Sequence, residues 1–139
     1  MGWIRYVITP LDQTIDIRRG DTLDIDFAGL SDLTTRTNVW FTVKGDKDDA
    51  DSAADIQIDE ITGLLYIAGA PGTAINGSIT VTDAAAGKLT VALAAVETAK
   101  LDIVGRFFYD VQVLYASGVV QTETRGHTNI IGDVTRTVE

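Results

Sequence analysis

Between Val43 and Asp55 the sequence reads VKGDKDDADSAAD, which places five aspartates in thirteen residues directly behind the apolar run NVWFTV. Carboxylates at that density are the raw material of a calcium loop. An EF-hand needs oxygen ligands at positions 1, 3 and 5, glycine at 6 and a bidentate glutamate at 12. Counting from Asp46 puts Asp48, Ala50, Asp51 and Gln57 at those places, so the third ligand, the glycine and the glutamate are all missing. The stretch therefore reads as a solvated, metal-free loop, in which aspartate serves because it is soluble and tolerates turn geometry.

Other chemistry fares no better. His127 is the sole histidine and there is no cysteine, which excludes a two-histidine metal site, a thiolate site and a disulfide framework. The serines Ser31, Ser52, Ser78 and Ser117 lie outside any G-x-S-x-G setting. Gly87-Lys88 is no phosphate loop, because Thr82 stands where the first glycine belongs and Leu89 follows the lysine. Asp110 and Glu123 could be imagined as a glycosidase pair, but a carboxylate separation is not contained in a sequence. The expectation is a protein with no catalytic residues, no cofactor and no metal, hence not an enzyme.

The elements that would carry any site are strands. In TLDIDF, Leu23, Ile25 and Phe27 share one face and Thr22, Asp24 and Asp26 the other, a period of two that no helix produces. The same alternation marks NVWFTVK, DIQI, LLYIAG, SITVT, KLTVAL, RFFYDVQVLY, VVQTET and HTNIIGDVTR. The residues Leu23, Ile25, Phe27, Val39, Phe41, Val43, Val91, Leu93, Val111 and Val113 are expected inward. Arg18-Arg19-Gly20-Asp21 is read as the turn of a hairpin between QTIDI and TLDIDF. KLTVALAAVETAKL also has helical spacing, and is divided into a strand over 88–94 and a helical turn near 95–101. The whole 139-residue chain is expected to be one all-β domain, a β-sandwich of immunoglobulin-like or jelly-roll type with about nine short strands and at most one short helical turn. The glycine and aromatic strand in LDIVGRFFYDVQV suit the corner of an immunoglobulin-like sandwich, with Tyr109 read as a core or interface aromatic.

Composition bounds the partners. At 45% hydrophobic and 22% charged residues the chain is that of an ordered globular domain, and its net charge of −9 repels nucleic acid and anionic lipid alike. No run of eighteen apolar residues suggests a membrane span, and Met1-Gly2-Trp3-Ile4-Arg5-Tyr6 does not begin like a secretory signal, which points to folding in the cytoplasm.

Four strings, IRRGDTLDIDF, VWFTVKGDKDDADSA, FFYDVQV and GVVQTETRGHTNIIGDVTR, together resemble small structural proteins of tailed bacteriophages and prophages. Head decoration proteins and the attachment domains of upper-baseplate proteins are the nearest types. The resemblance spans residues 15–136 and is most specific at Tyr109-Asp110-Val111-Gln112-Val113 and Asp133-Val134-Thr135-Arg136. It implies a non-enzymatic virion component made in the cytoplasm of a bacterial host. Because the chain ends three residues after Arg136, the expectation is a capsid decoration or cement protein bound to the major capsid lattice. A tail, neck or baseplate component is the alternative, and a calcium- or carbohydrate-binding β-sandwich module is the rival from another class. Alternation places Trp3, Trp40 and Phe108 away from the inner face, and these, with Asp133 and Arg136, are the expected assembly contacts. The N-terminal strand, 2–9, is a candidate assembly arm, and a homo-oligomer is expected.

Overall fold

Alternation carries through to burial: in Thr22–Phe27 every second residue is buried, and all ten residues expected inward lie in one core. The computed structural model describes residues 3–8, as main chain, together with 14–46, 48–102 and 104–132. Its strands are β1 (Trp3–Ile8), β2 (Ile15–Arg18), β3 (Thr22–Phe27), β4 (Arg36–Lys44), β5 (Ile56–Asp59), β6 (Gly63–Ile67), β7 (Ala70–Pro71), β8 (Gly77–Asp83), β9 (Lys88–Leu93), β10 (Gly105–Tyr115) and β11 (Val120–Ile131), with one short helix, α1 (Ala95–Thr98).

These strands form two facing sheets, a four-stranded one in the order β1-β3-β9-β8 and a seven-stranded one in the order β2-β11-β10-β4-β5-β6-β7. That order, with the extra strands added beyond β4, is the variable-type immunoglobulin arrangement. It decides between the two sandwich types, and short strands bring the number above the nine expected. The strand over 88–94 and the helical turn after it are both present, as β9 and α1.

Two sequence expectations are corrected. The turn at Arg18–Asp21 does not close a hairpin: β2 lies in the large sheet, parallel to β11, while β3 lies in the small one. Ile15 and Ile17 must face Leu23, Ile25 and Phe27 across the core, which adjacent hairpin strands cannot do. Buried Thr98 of α1 holds the crossing, its hydroxyl accepting from Gly20 N at 3.1 Å and donating to Asp21 O at 2.8 Å. The second correction is at the C-terminal side, where VVQTET and HTNII are one continuous strand, β11, rather than two. The chain enters β1 along the edge of the small sheet, parallel to β3, from Trp3 opposite Thr22 to Ile8 opposite Phe27.

Immunoglobulin domains of antibodies fasten the two sheets with a disulfide packed on a tryptophan. Here Phe27 of β3, Phe41 of β4 and Tyr109 of β10 stand in that role, with ring centroids 6.1–6.3 Å apart in tilted contacts. Tyr109 thus is a core aromatic, only 2% exposed. The turn before β9 fits because residue 87 is glycine: φ is +68°, and an added Cβ would lie 2.1 Å from Leu30 O.

Candidate functional site: the outer face of the large sheet

With the odd-numbered residues of β10 turned into the core, Phe108, Asp110, Gln112 and Leu114 are turned out. The pairing of β10 with its neighbours arranges them in rows. Lys44, Phe108 and His127 form one row, Thr42, Asp110 and Arg125 the next, and Trp40, Gln112 and Thr122 a third. Gln57 of β5 extends the second row beyond Thr42. Together these side chains line an open concavity of about 930 Å³. Phe108 is 40% exposed, with its ring centroid 5.2 Å from that of His127, and Trp40 is half-buried.

Strand β11 contributes to this face through an irregularity. Thr122 pairs with Gln112 but Thr124 pairs with Val111, so Glu123 is an extra residue that shifts the phase of the strand. Val120 and Thr122 line the concavity on one side of this bulge and Arg125 and His127 on the other. Glu123 itself turns away, accepting from Tyr115 Oη at 2.8 Å and from Ser31 N at 2.9 Å. Burial and this carboxylate push the Tyr115 hydroxyl up to about 12. Glu123 is therefore occupied outside the concavity, and the imagined pairing with Asp110 is not formed.

The acidic stretch closes one end of the face. Lys44 Nζ makes an ion pair with Asp51 at 2.7 Å and donates to Asp49 O at 2.8 Å. Asp46 and Asp49 cap main-chain amides of the loop itself: Asp46 Oδ1 accepts from Asp48 N at 3.0 Å, and Asp49 Oδ2 from Asp46 N at 3.2 Å. The hydrogen bond and charge of Lys44 hold Asp51 below the usual carboxylate range against a smaller opposing effect of burial, whereas burial pushes Asp55 up. Among the described residues no three histidine, cysteine or acidic side chains converge as a metal-ligating group. Millimolar calcium is expected to leave the melting temperature unchanged. A rise of several degrees in a calcium titration would show a cation site by linkage.

Asp110, on the floor, is pushed up by burial, an effect opposed by the field of Lys44 and reinforced by that of Asp51. The two amides beside it are oriented by threonines. Gln57 Nε2 donates to Thr42 Oγ1 at 3.2 Å, and Gln112 Nε2 approaches Thr122 Oγ1 at 3.4 Å.

Of the expected contacts, Trp40 and Phe108 share this face, on neighbouring strands and in the rows on either side of the row of Asp110. Trp3 lies in β1, whose side chains are outside the described residues, as are Asp133 and Arg136 altogether. Sequence reasoning missed Gln57 and Arg125. Every residue of β5 is buried, so no alternation singles out Gln57, and simple alternation from Thr122 would turn Arg125 inward, whereas the bulge at Glu123 shifts the phase and brings it onto the outer face.

No protein-family model matches the chain, and no curated protein matches it. Among solved structures, the NK cell receptor Nkp44 superposes with a TM-score of 0.50, over 87% of this chain and 99% of that one, at 12% sequence identity. At that identity the likeness concerns the path of the backbone, and it agrees with the strand order: the chain is an immunoglobulin-like β-sandwich.

Proposed function

We propose that this protein is a non-enzymatic structural component of a tailed-bacteriophage virion, which docks through the outer face of its large sheet. A capsid decoration protein on the major capsid lattice is the favoured role; a tail, neck or baseplate component is the alternative. The bacteriophage reading rests on the resemblance of residues 15–136, and the docking reading on one observation. Trp40 and Phe108 occupy an open concave face that no second layer of the described chain covers. Large aromatics gathered on one concave face are characteristic of recognition surfaces, while scattered exposed apolar residues are ordinary.

Burying each ring contributes about 1.5–3 kcal/mol before the entropy of association is subtracted. Trp40→Ser and Phe108→Ser are each expected to weaken docking about tenfold or more without unfolding the domain, since both rings lie outside the core. Light scattering of the isolated protein at micromolar concentration, with co-sedimentation on purified capsids and tails of its own virus, measures this. A strict monomer that sediments with none of them removes the proposal. A carbohydrate-binding role draws on the same combination of aromatics and amides, and predicts a melting temperature that rises with added oligosaccharide.

A further inference from the structure

The floor of the concavity is the carboxylate of Asp110 between two side-chain amides, and Arg125, its partner in register across the strand, lines the same concavity. Among the described residues Asp110 has no hydrogen bond and no ion pair, and Lys44, the cation whose field it feels, is held by Asp51 and Asp49 O. Gln57 and Gln112 turn their N–H groups toward neighbouring threonines, which leaves their carbonyl oxygens as the free end of each amide. Phe108 precedes Asp110 by two residues on the same face of β10, about 7 Å away at strand spacing. Trp40 is diagonal to Asp110, at a similar distance of about 7 Å, because Thr42 is directly opposite it. A carboxylate between two aromatic rings, flanked by amide oxygens, is complementary to a group made only of donors, planar and positively charged.

We propose that this concavity receives an arginine side chain from a loop of the protein on which the domain docks, its guanidinium bound by Asp110 and stacked against Trp40 and Phe108. Arginine fits better than lysine because its fork carries five donors and no acceptor and its flat cation stacks on aromatic faces. The net charge of −9 favours a basic partner in the encounter and disfavours a second copy of this chain. The inference rests on the docking reading and names the chemistry of the partner.

The probes are N-acetyl-arginine amide and its neutral isostere N-acetyl-citrulline amide, titrated against the protein while the Trp40 indole and His127 imidazole signals are followed by NMR. The arginine amide is expected to shift these signals at millimolar concentration, with the citrulline amide at least tenfold weaker. Asp110→Asn should abolish the preference for arginine without lowering the melting temperature, since burial already disfavours the ionised carboxylate. On purified virion assemblies the same variant should lose docking along with Trp40→Ser. Equal response to the two amides, with docking lost in Trp40→Ser but kept in Asp110→Asn, overturns the arginine site and leaves the docking reading standing. Absence of docking by the wild type, with the arginine preference intact, removes the docking reading instead. Self-association broken equally by Arg125→Ala and Asp110→Asn overturns the choice of partner, since the guanidinium is then Arg125 of a second copy.

Discussion

Phe41→Ala is expected to lower stability by about 3–5 kcal/mol, the usual cost of truncating a buried phenylalanine to alanine. Phe41 is fully buried and touches both other rings of the cluster, so its removal opens a cavity between the two sheets where no disulfide holds them. For a domain of this size the loss corresponds to a fall in melting temperature of about 10–15 °C, a large part of the 5–15 kcal/mol that stabilises a typical domain. Thermal unfolding followed by circular dichroism measures it. A fall below about 3 °C would mean that the cluster does not carry the junction between sheets. Phe41→Leu, which keeps an apolar side chain, should recover more than half of the loss.

The second large effect is expected at Glu97, a carboxylate with no exposed surface at the corner where α1 leads out of the small sheet. Its Oε2 accepts from Asn76 Nδ2 at 2.9 Å, and its Oε1 pairs with Lys100 Nζ at 2.7 Å. The carboxylate so ties α1 to the turn that enters β8, across the open end of the small sheet. Glu97→Ala leaves Asn76 without its acceptor inside the protein and is expected to cost about 2–3 kcal/mol. That is less than the 3–5 kcal/mol of a wholly buried pair, because Lys100 remains half exposed to solvent.

Acidity tests the same contact. Burial pushes the Glu97 carboxyl up, but Lys100, Asn76 and Thr73 together outweigh it and hold the group below its ordinary 4.5. Stabilisation from a depressed carboxylate is complete above the unfolded value and is lost as pH falls through the folded one. The difference in melting temperature between wild type and Glu97→Gln should therefore be constant near neutrality and shrink below about pH 4.5. A difference that stays the same down to pH 3 would show that the ionised form contributes nothing. Asp55 and Asp110, both pushed up by burial, act in the opposite sense, so protonating them relieves a cost.

The division between what the residues dictate and what the assembled chain decides follows the range of the forces concerned. Alternation is local, since each Cβ points opposite to its neighbour along an extended chain. For that reason TLDIDF and NVWFTV disclosed their buried faces, and RFFYDVQVLY disclosed that Phe108, Asp110, Gln112 and Leu114 share the other. Which sheet a strand joins is not local. The turn at Arg18–Asp21 looks like a hairpin until Thr98, distant in sequence, takes its amide and carbonyl and sends β2 and β3 into opposite layers. At the bulge, likewise, Glu123 is held by Tyr115 and the Ser31 amide, and the shift in phase sets Arg125 on the same face as Asp110. The sequence by itself determined an all-β chain with an aromatic outer face. Only the tertiary structure decided that Trp40, Gln57, Asp110 and Arg125 share one concavity, because the hydrogen bonds that set sheet membership and register join residues far apart along the chain.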